Sequence, residues 1–171
     1  MTSLNANSKN DNYRTPKMAW EMVSGLFPKT HKIYEPFYCK GASKEYWSEI
    51  GHDVIHEDED FFEHCEQRIK ECDIIVSNPP YSIKKRVFEK LKELNKPFIM
   101  LVPIEILGYK YFQELFANQI QVVIPPKRIH FTKITEQDGT LLLEPKSQPF
   151  HVIFVCYKCD IGKDLLFLEN K

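Results

Sequence analysis

The chain has 171 residues and a formal net charge of −1, enough for one domain with its own core and too balanced for a globally basic nucleic-acid binder. Hydrophobic residues at 43% and charged ones at 27% place it among globular chains, and no apolar run approaches the ~18 residues of a membrane span. The cysteines number five, an odd set, and the polar N-terminus (1–12) lacks the apolar centre of a signal peptide, so reduced thiols in a cytoplasmic compartment and a flexible tail over 1–11 are expected.

Taken in chain order, Thr15-Pro16 reads as an N-cap with proline at the first helical position. Met18, Met22, Val23, Leu26 and Phe27 then recur at helical spacing until Pro28. Residues 31–35 read as a short strand. Ser43 caps a predicted helix in which Tyr46, Trp47 and Ile50 share a face, and Gly51 ends it. Residues 53–56 form a second strand and 61–71 a weak helix. The third strand, 73–77, is the clearest, with the β-branched run Ile74-Ile75-Val76. Val87, Phe88, Leu91 and Leu94 give the next helix an apolar face. Residues 98–102 are a strand stopped by Pro103, 109–117 a helix, and 120–124 a strand stopped by Pro125-Pro126. Gln137-Asp138-Gly139 joins 129–134 to 140–143 as a hairpin, and 150–157 is the last strand. Strands alternating with helices predict an α/β fold with a mostly parallel sheet. The late strands follow one another without a helix, so an antiparallel edge is expected.

The most informative segment is Asn78-Pro79-Pro80-Tyr81. Two prolines cannot donate to a ladder, so the chain leaves the third strand in a stiff turn at its carboxyl end. In open α/β sheets that edge is where ligands bind. The turn offers a carboxamide, an aromatic ring and two carbonyls, a set suited to gripping a flat molecule by its exocyclic amine. Cys156 and Cys159 form a C-x-x-C, but Cys39, Cys65 and Cys72 supply no second pair at ligand spacing, so no metal site is expected.

Asn78-Pro79-Pro80-Tyr81 resembles the [DNS]-P-P-[YFW] turn of the S-adenosylmethionine-dependent amino-methyltransferases. In particular the chain looks like the small adenine-N6 DNA methyltransferases of phage and virus type, from about Asn12 to Tyr157. The resemblance implies a single-domain Rossmann-like methyltransferase fold over 12–171, acting inside the host cell. Asn78, Pro79, Pro80 and Tyr81 would then be catalytic, the first two holding the adenine amine and Tyr81 stacking on the base. Asn12-Tyr13-Arg14-Thr15-Pro16 resembles the segment that encloses the amino-acid end of the cofactor, so Tyr13, Thr15 and Pro16 join the expected cofactor site. Glu35-Pro36-Phe37-Tyr38-Cys39-Lys40-Gly41 resembles the [DE]-P-F-x-G-x-G cofactor loop. Glu35 would hold the ammonium, with Pro36, Phe37 and Gly41 along the methionine tail. Glu57 or Asp58 would take the ribose hydroxyls, Asp58 being favoured by spacing. Asp60 would accept from the cofactor's adenine amine, and Phe61 would pack on its ring.

On the substrate side, Lys84, Lys85 and Arg86 beside the turn would hold phosphates. Lys127, Arg128 and Phe131 match a late segment lining the target-base pocket. Three departures stand out. Cys39 occupies the place of the loop's first glycine, and Lys40 follows it, close enough to repel a sulfonium or pair with a carboxylate. No apolar run marks the strand that the fold carries between Asp60 and Cys72. No segment is large enough for a target-recognition domain, which implies low specificity, a partner subunit or a homodimer. Besides DNA adenine methylation, two readings stay open. One is methylation of adenine in RNA or of a protein glutamine. The other is a non-catalytic nucleic-acid-binding subunit, motivated by Cys39 and Lys40.

Overall fold

The computed structural model describes residues 12–170; the expected flexible tail over 1–11 lies outside them. Seven strands form one sheet: β2 (Ile33–Tyr34), β3 (Val54–Ile55), β4 (Ile74–Ser77), β5 (Phe98–Pro103), β6 (Ile120–Ile124), β9 (Val152–Tyr157) and β10 (Leu165–Phe167). Their spatial order is β10-β6-β9-β5-β4-β2-β3. β3, β2, β4 and β5 run parallel, while β9 lies antiparallel to both β5 and β6. The sheet is therefore mostly parallel, with its antiparallel pairing on the side built from the late strands. β10 adds a parallel strand beyond β6 that the sequence reading did not foresee.

The central strands are buried on both faces, which is why they read as unbroken apolar runs. Their side chains alternate between two cores. Ile33, Ile74, Val76, Ile99 and Leu101 face α1 (Lys17–Val23) and α2 (Ala42–Ile50), where Trp20 and Trp47 stack at 5.6 Å. Tyr34, Ile75, Met100 and Val102 face α3 (Phe61–Arg68), α4 (Lys84–Leu94) and α5 (Lys110–Phe116). No helix among the described residues is long and apolar enough to cross a membrane.

Between Asp60 and Cys72 the described chain holds only α3 and its turn, so the strand missing from the sequence pattern is missing from the sheet. Two expected caps are corrected. The N-cap position of α1 is Pro16, without a side-chain bond, and that of α2 is Gly41. The Thr15 and Ser43 hydroxyls bond elsewhere, to Asn78 and to the Trp20 indole. The predicted hairpin forms as β7 (Phe131–Gln137) and β8 (Thr140–Lys146), turning through Asp138 and Gly139 at positive φ. It stands apart from the main sheet, pairing with β1 (Tyr13–Arg14).

Candidate active site

β2 and β4 are neighbours in the sheet, and the connections leaving them run to opposite sides, β2 to β3 and β4 to β5. Such a reversal opens a crevice at the carboxyl ends of the two strands. Glu35 follows β2 and Asn78 follows β4, so both stand at that crevice.

Glu35 is 2% exposed. Ser77 Oγ donates to its Oε1 at 2.6 Å. Its Oε2 lies 3.3 Å from His56 Nδ1 and makes no hydrogen bond of normal geometry. His56 Nδ1 also sits 2.8 Å from the Glu35 carbonyl oxygen; a carbonyl only accepts, so Nδ1 carries the hydrogen. Burial pushes the Glu35 carboxyl above its ordinary range. His56, Ser77, Ser43 and the Phe37 N–H pull it back down without cancelling the shift.

Asn78 Nδ2 donates to Thr15 Oγ1 at 3.0 Å, and its Oδ1 is buried without a partner. Thr15 thus reaches the turn from a segment 63 residues away. Pro79 is buried, and the Pro80 carbonyl accepts from Ile83 N–H at 3.2 Å to close the turn. The Tyr81 and Phe150 rings meet in an edge contact, their centroids 5.7 Å apart.

The loop after Glu35 takes three consecutive left-handed residues, Cys39 (φ 39), Lys40 (φ 64) and Gly41 (φ 77). The position matched to glycine does demand positive φ, and Cys39 adopts it at a cost of about 1–2 kcal/mol. At Gly41 a Cβ would fall 2.7 Å from the Tyr38 hydroxyl oxygen. Cys39 Sγ donates to the Tyr13 carbonyl at 3.3 Å, and Lys40 Nζ bonds Glu136 of β7 at 2.9 Å. Lys40 is therefore paired with a carboxylate of the hairpin.

The acidic run divides its work. Glu57 pairs with Lys44 at 3.0 Å. Glu59 takes Arg68 through both oxygens, at 2.7 and 2.8 Å, and that guanidinium holds its carboxyl below the usual range. Asp60, 7% exposed, caps α3 by accepting from Phe62 N–H at 2.8 Å and Glu63 N–H at 3.2 Å. Asp58 is exposed.

Some expected site residues are held elsewhere. Phe61 is 3% exposed and packs in the core against Phe37 at 5.4 Å, so the half-buried Phe37 is the more open ring of the pair. Phe131 is 2% exposed and belongs to the core beside Trp20 and Phe154, which corrects its reading as an open wall for a base. Phe150 stands at the turn instead. Arg86 lies over the Phe62 ring at 4.6 Å. Lys127 and Arg128 are both exposed, and Arg128 braces the segment before β9 by donating to the Gln148 carbonyl at 3.2 Å. Lys84 and Lys85 remain beside Tyr81. Sequence reading missed His56, Ser77 and Phe150. The one available signal was position: His56 and Ser77 are the polar residues closing two apolar strands.

A buried carboxylate whose Oε2 makes no hydrogen bond of normal geometry fits an ammonium group such as the one S-adenosylmethionine carries. Solved structures similar to this chain include precorrin-6y C5,15-methyltransferase from Geobacter metallireducens GS-15. It is 8% identical, with 90% of this chain and 99% of that one covered and a TM-score of 0.43. Another is the tRNA (m1A58) methyltransferase TrmI from Aquifex aeolicus, at 15% identity, 83% and 68% coverage and a TM-score of 0.42. A third is a SAM-dependent O-methyltransferase from Thermotoga maritima, at 10% identity, 91% and 67% coverage and a TM-score of 0.41. No curated protein matches the sequence. The family described as adenine-specific methyltransferase EcoRI matches residues 29–124, more than half of the chain and the whole stretch from before β2 to the end of β6. The chain belongs to that methyltransferase family, and its cofactor is S-adenosylmethionine.

Proposed function

We propose that the chain methylates the N6 amine of adenine in DNA, with the base turned out of the stack into the Asn78 turn. The observation that carries this reading is the Asn78 carboxamide. Its Nδ2 is fixed by Thr15 and its Oδ1 is buried without a partner. An unmade hydrogen bond at a buried acceptor costs about 1–3 kcal/mol, and an exocyclic amine supplies the missing donor.

An aromatic amine is a poor nucleophile because its lone pair is delocalised into the ring. Asn78 Oδ1 and the Pro79 carbonyl, each accepting one amine hydrogen, favour a pyramidal nitrogen and aim its lone pair. Tyr81 stacks on the base, its ring in edge contact with Phe150. Stacking of ~1–3 kcal/mol offsets part of the few kcal/mol needed to turn a base out. Glu35 holds the cofactor's ammonium through Oε2, Asp58 takes the ribose hydroxyls, and Asp60 accepts from the adenine amine of the cofactor. The bound cofactor supplies an electrophilic methyl carbon. After transfer the nitrogen carries one proton too many and loses it to water, so no general base is required.

The bonds made by Cys39 and Lys40 to β1 and the hairpin favour a catalytic chain over a non-catalytic subunit, because neither side chain is paired with Glu35. The test is a panel: single- and double-stranded DNA, RNA and protein, each incubated with the chain and methyl-labelled cofactor. Label in DNA is expected. Label confined to RNA or protein would overturn the assignment of DNA.

A further inference from the structure

An open groove of about 550 Å³ lies beside the catalytic turn, between the start of α4 and the segment that leads into α5. Tyr81, Lys84, Lys85, Tyr109, Lys110 and Tyr111 line it. The carboxylate among its walls is Glu114, 3.5 Å from Lys110 Nζ. Lys84 and Lys85 occupy the first turn of α4, where cations oppose the helix dipole. Lys84 Nζ donates to the Tyr81 carbonyl at 3.2 Å and lies 5.2 Å over the Tyr109 ring. Lys85 Nζ lies 6.0 Å over the Tyr111 ring and reaches Glu89 at 3.9 Å. Tyr109 and Tyr111 stack at 5.8 Å and 26°, Tyr109 being 40% exposed. The Tyr111 hydroxyl is buried without a partner.

Cations interleaved with flat aromatic faces match the chemistry of one nucleic-acid strand, whose phosphates pair with ammonium groups while its bases stack. We propose that this groove holds the nucleotide next to the target adenine on the same DNA strand. Its base stacks on Tyr109, and its phosphate is met by Lys84 and Lys110. The proposal rests on the DNA-adenine reading above and extends it to residues outside the catalytic turn. Stacking and phosphate pairing tolerate any base, so the groove adds affinity at this position without adding sequence preference. Arg86 takes no part, because its guanidinium lies on Phe62.

The test is an anisotropy titration of the full chain with a labelled 12-nucleotide single-stranded DNA, one adenine among thymines, over a series of salt concentrations. Tyr109→Ala is expected to weaken binding about tenfold, from the loss of one stacked base. Tyr109→Phe, which keeps the ring, is expected to bind like the wild type. The Lys84→Ala/Lys110→Ala double variant is expected to flatten the slope of log affinity against log salt by about 0.7, the counterion release of one phosphate. Unchanged affinity in Tyr109→Ala with an unchanged salt slope in the double variant overturns the proposal, as does tighter wild-type binding to RNA of the same sequence. Methyl transfer to DNA, measured on the same preparations, separates the two readings. Wild-type transfer with normally binding variants removes the groove alone. Groove-dependent binding without transfer to any DNA removes the adenine reading and leaves the groove as a site for one nucleotide of a DNA strand.

Discussion

Asn78 Nδ2 donates to Thr15 Oγ1, and its Oδ1 is buried without a partner. Asn78→Ala removes the acceptor without touching Glu35, so methyl transfer is expected to vanish while calorimetric affinity for the cofactor stays within about twofold. Thr15→Val lets the carboxamide rotate, and a misplaced group of this kind costs on the order of a hundredfold in turnover. Glu35 carries the pH dependence. Its folded-state pKa is raised by burial, so the ionised carboxylate weighs against folding as pH climbs from the ordinary carboxylate range through the raised value. On the role proposed for Glu35, cofactor binding runs the other way, because an ammonium group pairs with the ionised form. Affinity is expected to fall on acidification at a pH above that of an ordinary glutamate. Glu35→Gln should remove this pH dependence and weaken binding by roughly ten- to a hundredfold, the loss of a bond to a charged group. The same change should raise the melting temperature of the cofactor-free protein at neutral pH. Titration calorimetry and thermal melts across pH read both effects.

At the scale of elements, α3 begins on a residue with an observed structural role and a proposed binding one. Asp60 accepts from two N–H groups of the first turn, so Asp60→Ala is expected to cost about 1 kcal/mol in urea denaturation. Asp60→Asn keeps a good cap while losing the charge and one acceptor oxygen, so any change in cofactor affinity in that variant reports the carboxylate and not the helix. Caps were also where the sequence was least legible. Thr15 and Ser43 sit at plausible helix starts, yet a hydroxyl serves whichever partner the folded chain brings, here Asn78 and the Trp20 indole. A local rule sees only the helix beside it. β10 escaped notice for the opposite reason: three residues, largely exposed, show no alternation to read.

For the whole molecule, the apolar strands and their alternation with helices were readable because burial on both faces writes itself into composition. The Asn78 turn was readable because prolines end a strand visibly. The support around Glu35 was not, since Ser77 and His56 arrive from other strands, 42 and 21 residues away in sequence. Only the sheet order places them together. The bonds that turn Cys39 and Lys40 toward β1 and the hairpin were equally hidden, because a residue pattern does not show which way a side chain leaves a left-handed loop. The most direct measurement is mass spectrometry of nucleosides released from DNA after incubation with the chain and S-adenosylmethionine. N6-methyl-2′-deoxyadenosine with the wild type and none with Asn78→Ala is the expected result. A methylated base other than N6-methyladenine would contradict the adenine assignment, and the same yield from Asn78→Ala would contradict the assignment of this turn as the site of transfer.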